Sequence, residues 1–234
     1  MERKEFLKKS LALAGIFTMF SQCKKEDEVT PGTVTDSTDT TTCTVTDNET
    51  EGPFPTKSPS SYVRKDITDG KTGLPLTVNI YIKNVNNNCA ELENAIVDIW
   101  HCDTAGNYSE YGGTSMQSTN YTSVHFLRGR QTTDANGLAA FTSIYPGWYS
   151  GRAPHIHVHI YNSSGTSLLV TQIAFPEDIS SAVYKTTYYT AHGQADTSNA
   201  SDNIFSDSLD NELATLSGDT TNGYTLTHTI YVKS

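Results

Sequence analysis

Cysteine is scarce in this chain, four residues in 234, and no two stand at the short spacing of a zinc site, which excludes a cysteine-built metal centre. Basic residues are in the minority: 16 Lys and Arg face 26 Asp and Glu, a net charge of -10 at pH 7. A surface of that sign repels phosphate backbones, so nucleic acid is not an expected partner. No internal repeat is visible, and the apolar run from 11 to 20 is too short to span a bilayer, which takes about 20 residues. Helix signals are few. What remains, 36% hydrophobic content in a chain of this length, is enough for one domain with a sizeable core.

The two ends of the amino-terminal segment read as export machinery. Arg3, Lys4, Lys8 and Lys9 precede the apolar run, so residues 1–22 are expected to be a signal peptide. Phe20-Ser21-Gln22-Cys23 resembles a lipoprotein processing box with Cys23 as the lipidated first residue. Arg3-Lys4-Glu5-Phe6-Leu7-Lys8 is similar to a twin-arginine signal with lysine for the second arginine, and an ordinary secretion signal stays open beside it. Loss of residues 1–22 removes four basic and two acidic side chains, taking the charge from -10 to -12. Residues 24–47, rich in Thr and Asp, lack the apolar surface to order themselves and read as a flexible tether. The expected location is the bacterial cell envelope, with membrane contact only through the lipid. In that oxidising setting Cys43, Cys89 and Cys102 allow one disulfide and one thiol, and Cys43 with Cys102 is the expected pair.

From residue 48 to 234 short β-rich runs recur between turn signals, at 76–85, 95–100, 138–144, 155–161, 168–175 and 224–232. Several strands at such spacing predict an all-β sandwich of mostly antiparallel strands. Asn136-Gly137 predicts a hairpin between the segment ending at Thr133 and the one starting at Leu138. The best helix candidate is 207–216, with a short turn near 178–184. The stretch from 176 to 234 carries no identifiable chemistry and is expected to complete the sandwich.

Chemistry concentrates in the run Tyr149-Ser-Gly-Arg152-Ala-Pro-His155-Ile-His157-Val-His159. Alternation of histidine with apolar residues puts the three rings on one face of a strand. At roughly 3.3 Å per residue the outer two are about 13 Å apart, whereas an i, i+2 pair at about 6.6 Å can converge on one ion. One neighbouring pair is therefore the expected ligand unit, with Arg152 a cation beside it. A second segment, Asn94-Ala-Ile-Val-Asp-Ile-Trp100, leads through a glycine turn to Tyr108.

Taken together, Glu51-Gly-Pro-Phe54, Asn94 to Trp100, Gly106-Asn-Tyr108, Phe126-Leu-Arg-Gly-Arg130, Thr133-Asp134, Gly137, Ile144-Tyr-Pro-Gly147, Tyr149, Arg152, His155-Ile-His157 and Gln172 resemble the intradiol ring-cleavage dioxygenases. The likeness is greatest to the single-domain secreted members, since a helical amino-terminal dimerisation region is missing. The resemblance implies a mononuclear non-haem Fe(III) held by Tyr108, Tyr149, His155 and His157, with no ligand role for His159. It implies that a small aromatic diol is cleaved by O2 to a cis,cis-muconate-type dicarboxylic acid. Tyr149 would be a ligand that leaves and takes a substrate proton, Arg152 a cation stabilising charge on the substrate, and Gln172 a supporting group. The chain departs from the family's Arg-Pro-x-His order by reading Arg-Ala-Pro-His. Phe54, Tyr111, Tyr121 and Phe126 are candidates to line the ring pocket.

Two other readings compete. His-x-His on a strand also serves zinc enzymes and cupins, but the cupin pattern wants a carboxylate soon after the second histidine, and Val158-His159-Ile160-Tyr161-Asn162 supplies none. Two tyrosines also suit iron better than zinc. The other is a lipid-anchored binding module that keeps the sandwich without turnover.

Overall fold

The computed structural model describes residues 43–234. Its strands are β1 (Pro75–Asn84), β2 (Ala90–Glu91), β3 (Ile96–Trp100), β4 (Arg128–Thr132), β5 (Leu138–Ile144), β6 (His155–Tyr161), β7 (Ser167–Ala174), β8 (Thr215–Asp219) and β9 (Gly223–Val232). Two short α-helices, α1 (Glu177–Val183) and α2 (Leu209–Glu212), and three single-turn 3₁₀ helices complete the regular structure of the described residues. The β-branched and aromatic composition of these runs, with period-two burial, is why they pleat rather than coil. In β1, Leu76, Val78, Ile80 and Ile82 turn inward while the residues between them are exposed or half-buried.

β1 anchors a five-stranded sheet, antiparallel to β2 and β5 and parallel to β9, which pairs in turn with β8. The second sheet runs β4-β3-β6-β7, antiparallel throughout. Val97 and Ile99 of β3, Ile156, Val158 and Ile160 of β6 and Ile173 of β7 meet Val78, Ile80, Phe141, Leu226 and Ile230 in one buried cluster. Each such side chain contributes roughly 1.5–3 kcal/mol on burial. Since alternate residues of β6 fill this core, its histidines face the other way, toward the connecting segments.

The expected all-β sandwich with few short helices is what the chain forms, and the six expected strands coincide with β1, β3, β5, β6, β7 and β9 to within a residue at each end. Three expectations need correction. Asp134 to Leu138 does form a tight turn, with Gly137 at φ 70° and its N–H donating to the Asp134 carbonyl. It does not close a hairpin, because β4 and β5 lie in different sheets and each already has a better partner in β3 or β1. The helix expected over 207–216 is reduced to α2, since residues from Thr215 pair with β9 instead.

The third correction concerns the disulfide. Cys43 bonds Cys89, not Cys102, closing a separation of 46 residues. Cys102 is buried against Phe54, Trp100 and Tyr108, inside the fold, where a residue at the amino-terminal edge of the domain does not reach. The signal segment, Cys23 and the tether up to residue 42 lie outside the described residues. Residues 43–49 run along the domain, with Thr46 N–H donating to the Tyr231 carbonyl and Glu49 N–H to that of Val170. Among the described residues no helix is long and apolar enough to cross a membrane.

Glu212, fully buried at the end of α2, accepts hydrogen bonds from Thr171 Oγ1 at 3.1 Å and Ser208 Oγ at 2.5 Å. Burial raises its carboxyl to about 7, Glu49 and Asp47 adding to the effect. The folded chain thus holds a proton the unfolded chain has released, so this group's stabilisation is complete below the unfolded value near 4.5 and is lost as pH rises through about 7. Glu212→Gln, which cannot ionise, is expected to be the more stable protein at pH 8 by about 1–3 kcal/mol and to melt with a flatter pH dependence between 4.5 and 8. Thermal melting of both proteins across that range checks it.

Candidate active site

The site is assembled by strand register. Arg128 lies opposite Trp100, Trp100 opposite His157, and His157 opposite Gln172, so one row of side chains crosses all four strands of the second sheet on its outward face. The Trp100 and His157 rings stack at 5.0 Å and 3°. His155, two residues before His157, shares the face and brings its Nε2 to 3.1 Å from Nε2 of His157. Tyr108 then arrives from the loop after β3, its phenol 3.2 Å from His155 Nε2. Tyr149 packs edge-on to Tyr108 and His155, with ring centroids 5.8 and 5.6 Å away. The four side chains named from the sequence as candidate metal ligands thus converge on one point.

The loops are held by specific contacts. Gln117, buried, accepts the Tyr108 N–H at 2.7 Å and donates to its carbonyl at 2.8 Å, an amide acting as a strand partner for the one residue that must not move. Gly106, at φ 78°, lets the Tyr108 turn meet the Tyr149 loop, since a Cβ there would lie 2.1 Å from the Trp148 carbonyl oxygen. Arg128, fully buried, donates to the Phe54 carbonyl, to Thr56 Oγ1 and to both Ser109 oxygens, tying the 54–56 segment to the residue after Tyr108. Gly52, at φ 67°, abuts the His157 ring, and a Cβ would meet its Cε1 at 2.8 Å. Gly52→Ala is therefore expected to destabilise the domain by about 1–3 kcal/mol, through backbone strain and displacement of His157. Thermal melting together with metal content after iron loading checks it.

Protonation suits the donors to a cation. Burial, then the Arg152 charge, lowers His155 to about 3. His157 is held well below its ordinary value by burial and by His155. Both rings are neutral at any ordinary pH. The Nδ1 of His155 lies 2.6 Å from the Ala153 carbonyl, which only a protonated Nδ1 can satisfy, so its Nε2 presents a lone pair to the site. Both phenols are raised, foremost by burial; at Tyr149 the Arg152 charge opposes the rise. Tyr108 is completely buried whereas Tyr149 is half-buried. No group of three or more His, Cys, Asp or Glu able to hold a metal exists among the described residues, so an ion here must draw on the phenol oxygens. Two neutral imidazoles and two phenols are a donor set that fits a hard trivalent iron.

Arg152 is a hub. Its Nη1 donates toward the Tyr149 phenol at 3.4 Å, its Nη2 to Gln172 Oε1 at 2.6 Å, and its Nε to the Asp202 carboxylate at 2.9 and 3.1 Å. Gln172 in turn donates to the Thr50 carbonyl at 3.0 Å. Asp202 belongs to the stretch for which no chemistry was expected. No local pattern marks its place beside the site, because Arg152 and Ala153 lie 50 and 49 residues away. His159 is not brought to the cluster; it meets Glu51, Tyr161 and Ser167 at the surface end of the strand.

Of the aromatics expected to line a ring pocket, Phe54 stacks on Tyr108 at 4.7 Å and meets Tyr111 edge-on at 5.3 Å. Both line a cleft of about 370 Å³ with Lys57, Glu110 and Met116. Tyr121 and Phe126 do not line it. They pack on each other at 5.1 Å, with the Lys71 ammonium over both rings, in a separate cluster with Leu127 and Ile144.

Comparison with known proteins agrees with the motifs. A family model described as Dioxygenase matches residues 50–199. No curated protein sequence matches. An intradiol ring-cleavage dioxygenase from Tetranychus urticae superposes with a TM-score of 0.73 at 25% identity, over 82% of this chain and 95% of that one. The dioxygenase domain of a carbohydrate-binding fusion protein from Streptomyces sp. SirexAA-E gives 0.57 at 25% identity, over 81% and 99%. A 3-chlorocatechol 1,2-dioxygenase from Rhodococcus opacus 1CP gives 0.54 at 18% identity, over 81% and 73%, a likeness of fold alone.

Proposed function

This chain belongs to the dioxygenase family as an intradiol ring-cleavage enzyme, and from that premise we propose that it uses Fe(III) and O2 to open a catechol between its two hydroxyl-bearing carbons, giving a cis,cis-muconate-type dicarboxylic acid. The observation that carries the reading is that His155 Nε2 lies 3.2 Å from Tyr108 Oη and 3.1 Å from His157 Nε2, with Tyr149 and Arg152 alongside. Tyr108, Tyr149, His155 and His157 would hold the metal. Bound ferric iron would supply a Lewis acid that chelates both catechol oxygens and draws electron density from the ring, so that a ring carbon reacts with O2.

The protein's part is positional and electrostatic. Tyr108, His155 and His157 are locked by burial and by their contacts to Gln117, Ala153 and Trp100. Tyr149, the half-buried phenol, is the one with room to swing aside, and its Oη can take a proton from a catechol hydroxyl. Arg152 holds a permanent positive charge beside that phenol, where negative charge grows on a substrate oxygen as the ring loses aromaticity. Phe54 and Tyr111 offer flat apolar surface to an aromatic ring and exclude water from it. We further propose export and lipid anchoring at Cys23, for which the Cys43–Cys89 disulfide is support, since such bonds persist in oxidising compartments.

Oxygen uptake by the iron-loaded protein with catechol, protocatechuate and hydroxyquinol tests the reading and ranks the substrates. One O2 consumed per ring, with a muconate-type product, is expected of at least one of them. A protein that binds zinc, remains colourless with iron and consumes no oxygen with any of the three contradicts it.

A further inference from the structure

We propose that Asp202 is a positioning residue for the reaction: together with Phe205 it fixes the plane and reach of the Arg152 guanidinium, so that the segment following α1 is part of the active site. The inference rests on the role given to Arg152 above.

Three donors make four contacts with this one carboxylate. Arg152 Nε faces both of its oxygens, at 2.9 and 3.1 Å; the Ala153 N–H donates to Oδ2 at 2.6 Å and the Ile204 N–H to Oδ1 at 2.8 Å. Asp202 is completely buried and Arg152 only 8% exposed. A buried pair of this kind is a weak source of net stability, since the desolvation cost of both ions offsets most of their attraction. What it does supply is orientation. With Nε committed to Asp202 and Nη2 to Gln172, two edges of the planar guanidinium are fixed and Nη1 can only point at the Tyr149 phenol. Phe205 closes the remaining freedom: it is buried, the guanidinium carbon lies 5.7 Å from its ring centroid, and it packs with Ala153, Ala174, Ile204 and Leu209.

The Ala153 bond extends the same control to the metal side. Ala153 donates its N–H to Asp202 and its carbonyl accepts from His155 Nδ1, so one residue connects the carboxylate to an imidazole of the site. A cation that must meet a charge appearing only during reaction gains from such fixing, because a misplacement of about 1 Å costs on the order of 100-fold in rate.

The test compares iron-loaded wild type, D202N, D202E and R152K with the double variant D202N/R152K. D202N is expected to keep its iron and to lose 30- to 300-fold in kcat with KM within threefold, whereas D202E, which keeps the charge, recovers part of the loss. The double variant is expected to be no slower than R152K, since Asp202 acts through the residue already replaced. A D202N kcat within threefold of wild type, or a double variant slower than R152K by the full D202N factor, overturns the proposal. If D202N does not fold, D202N/R152Q, which leaves neither charge buried alone, is expected to melt higher than either single variant; a lower melting point overturns the pairing. If wild type turns over no catechol, the functional reading fails separately. A crystal structure of D202N then decides, with the guanidinium displaced supporting the proposal and its retention in place overturning it.

Discussion

His155→Ala is expected to abolish iron retention and to lower turnover by at least about 1,000-fold while leaving a folded domain. The imidazole is one of only two nitrogen donors in the site, and among the described residues no third His, Cys, Asp or Glu stands by to replace it. Loss of a group that merely orients a ligand costs about 10- to 100-fold in metal affinity, and loss of the ligand itself costs more. The fold survives for a physical reason. Without metal, His155 contributes its hydrogen bond to the Ala153 carbonyl, its contact with the Tyr108 phenol and edge-on packing on Tyr149 and Phe205, a small share of what holds the two-sheet core together. The cavity and the orphaned carbonyl together should cost about 1–4 kcal/mol. Iron content by elemental analysis, the visible absorption of the loaded protein and a thermal melt separate metal loss from unfolding. His159→Ala is the control: its ring meets the surface residue Glu51, so iron content and rate should match the parent. Equal iron loss in both variants would show that the ligand pair is assigned wrongly.

Tyr149→Phe is expected to retain iron but to turn over catechol about 100- to 1,000-fold more slowly, whereas Tyr108→Phe loses the metal. The contrast follows from burial. Tyr108 is completely enclosed, clamped at its backbone by Gln117 and stacked under Phe54. A phenol so held can serve only as a permanent ligand. Tyr149 is half-buried, follows the Trp148 backbone into a turn, and has its phenol within reach of the Arg152 guanidinium, a cation that can receive it as it swings. A positioned acid or base contributes about 10²–10⁴ in rate, and that is the contribution removed when the oxygen is deleted. Stopped-flow mixing with catechol measures it directly. Parent turnover by Tyr149→Phe would end the ligand-exchange role, and retention of iron by Tyr108→Phe would invert the assignment of the two phenols.

The two tyrosines also mark where reading along the chain stopped. Tyr149, His155 and His157 sit within nine residues, and strand alternation alone brings the histidines to one face. Asn136-Gly137 shows the converse: the turn chemistry was legible and the turn forms, yet its flanks enter different sheets because their pairing is decided by β1 and β3, far away in sequence. Cys102 was equally opaque. Nothing near it shows that Trp100 and Tyr108 bury it, leaving Cys89 to Cys43. Tyr121 and Phe126 are aromatic like Phe54 and Tyr111, but only the fold separates the pair under Lys71 from the pair at the cleft.

By itself the sequence determined the fold class, the histidine strand and, through its motifs, the membership of Tyr108, Tyr149 and Arg152 in one site, because short-range periodicity and turn chemistry act over a few residues. Tertiary structure alone decided which partners hold those residues in place: Gln117 for Tyr108, the Trp100 ring for His157, Gly52 at its edge, and Asp202 for Arg152. Those contacts close separations that run from 9 residues for Gln117 and Tyr108 to 105 for Gly52 and His157, and closures of such varied length leave no periodic trace, since their cost grows only slowly with the number of residues between the ends.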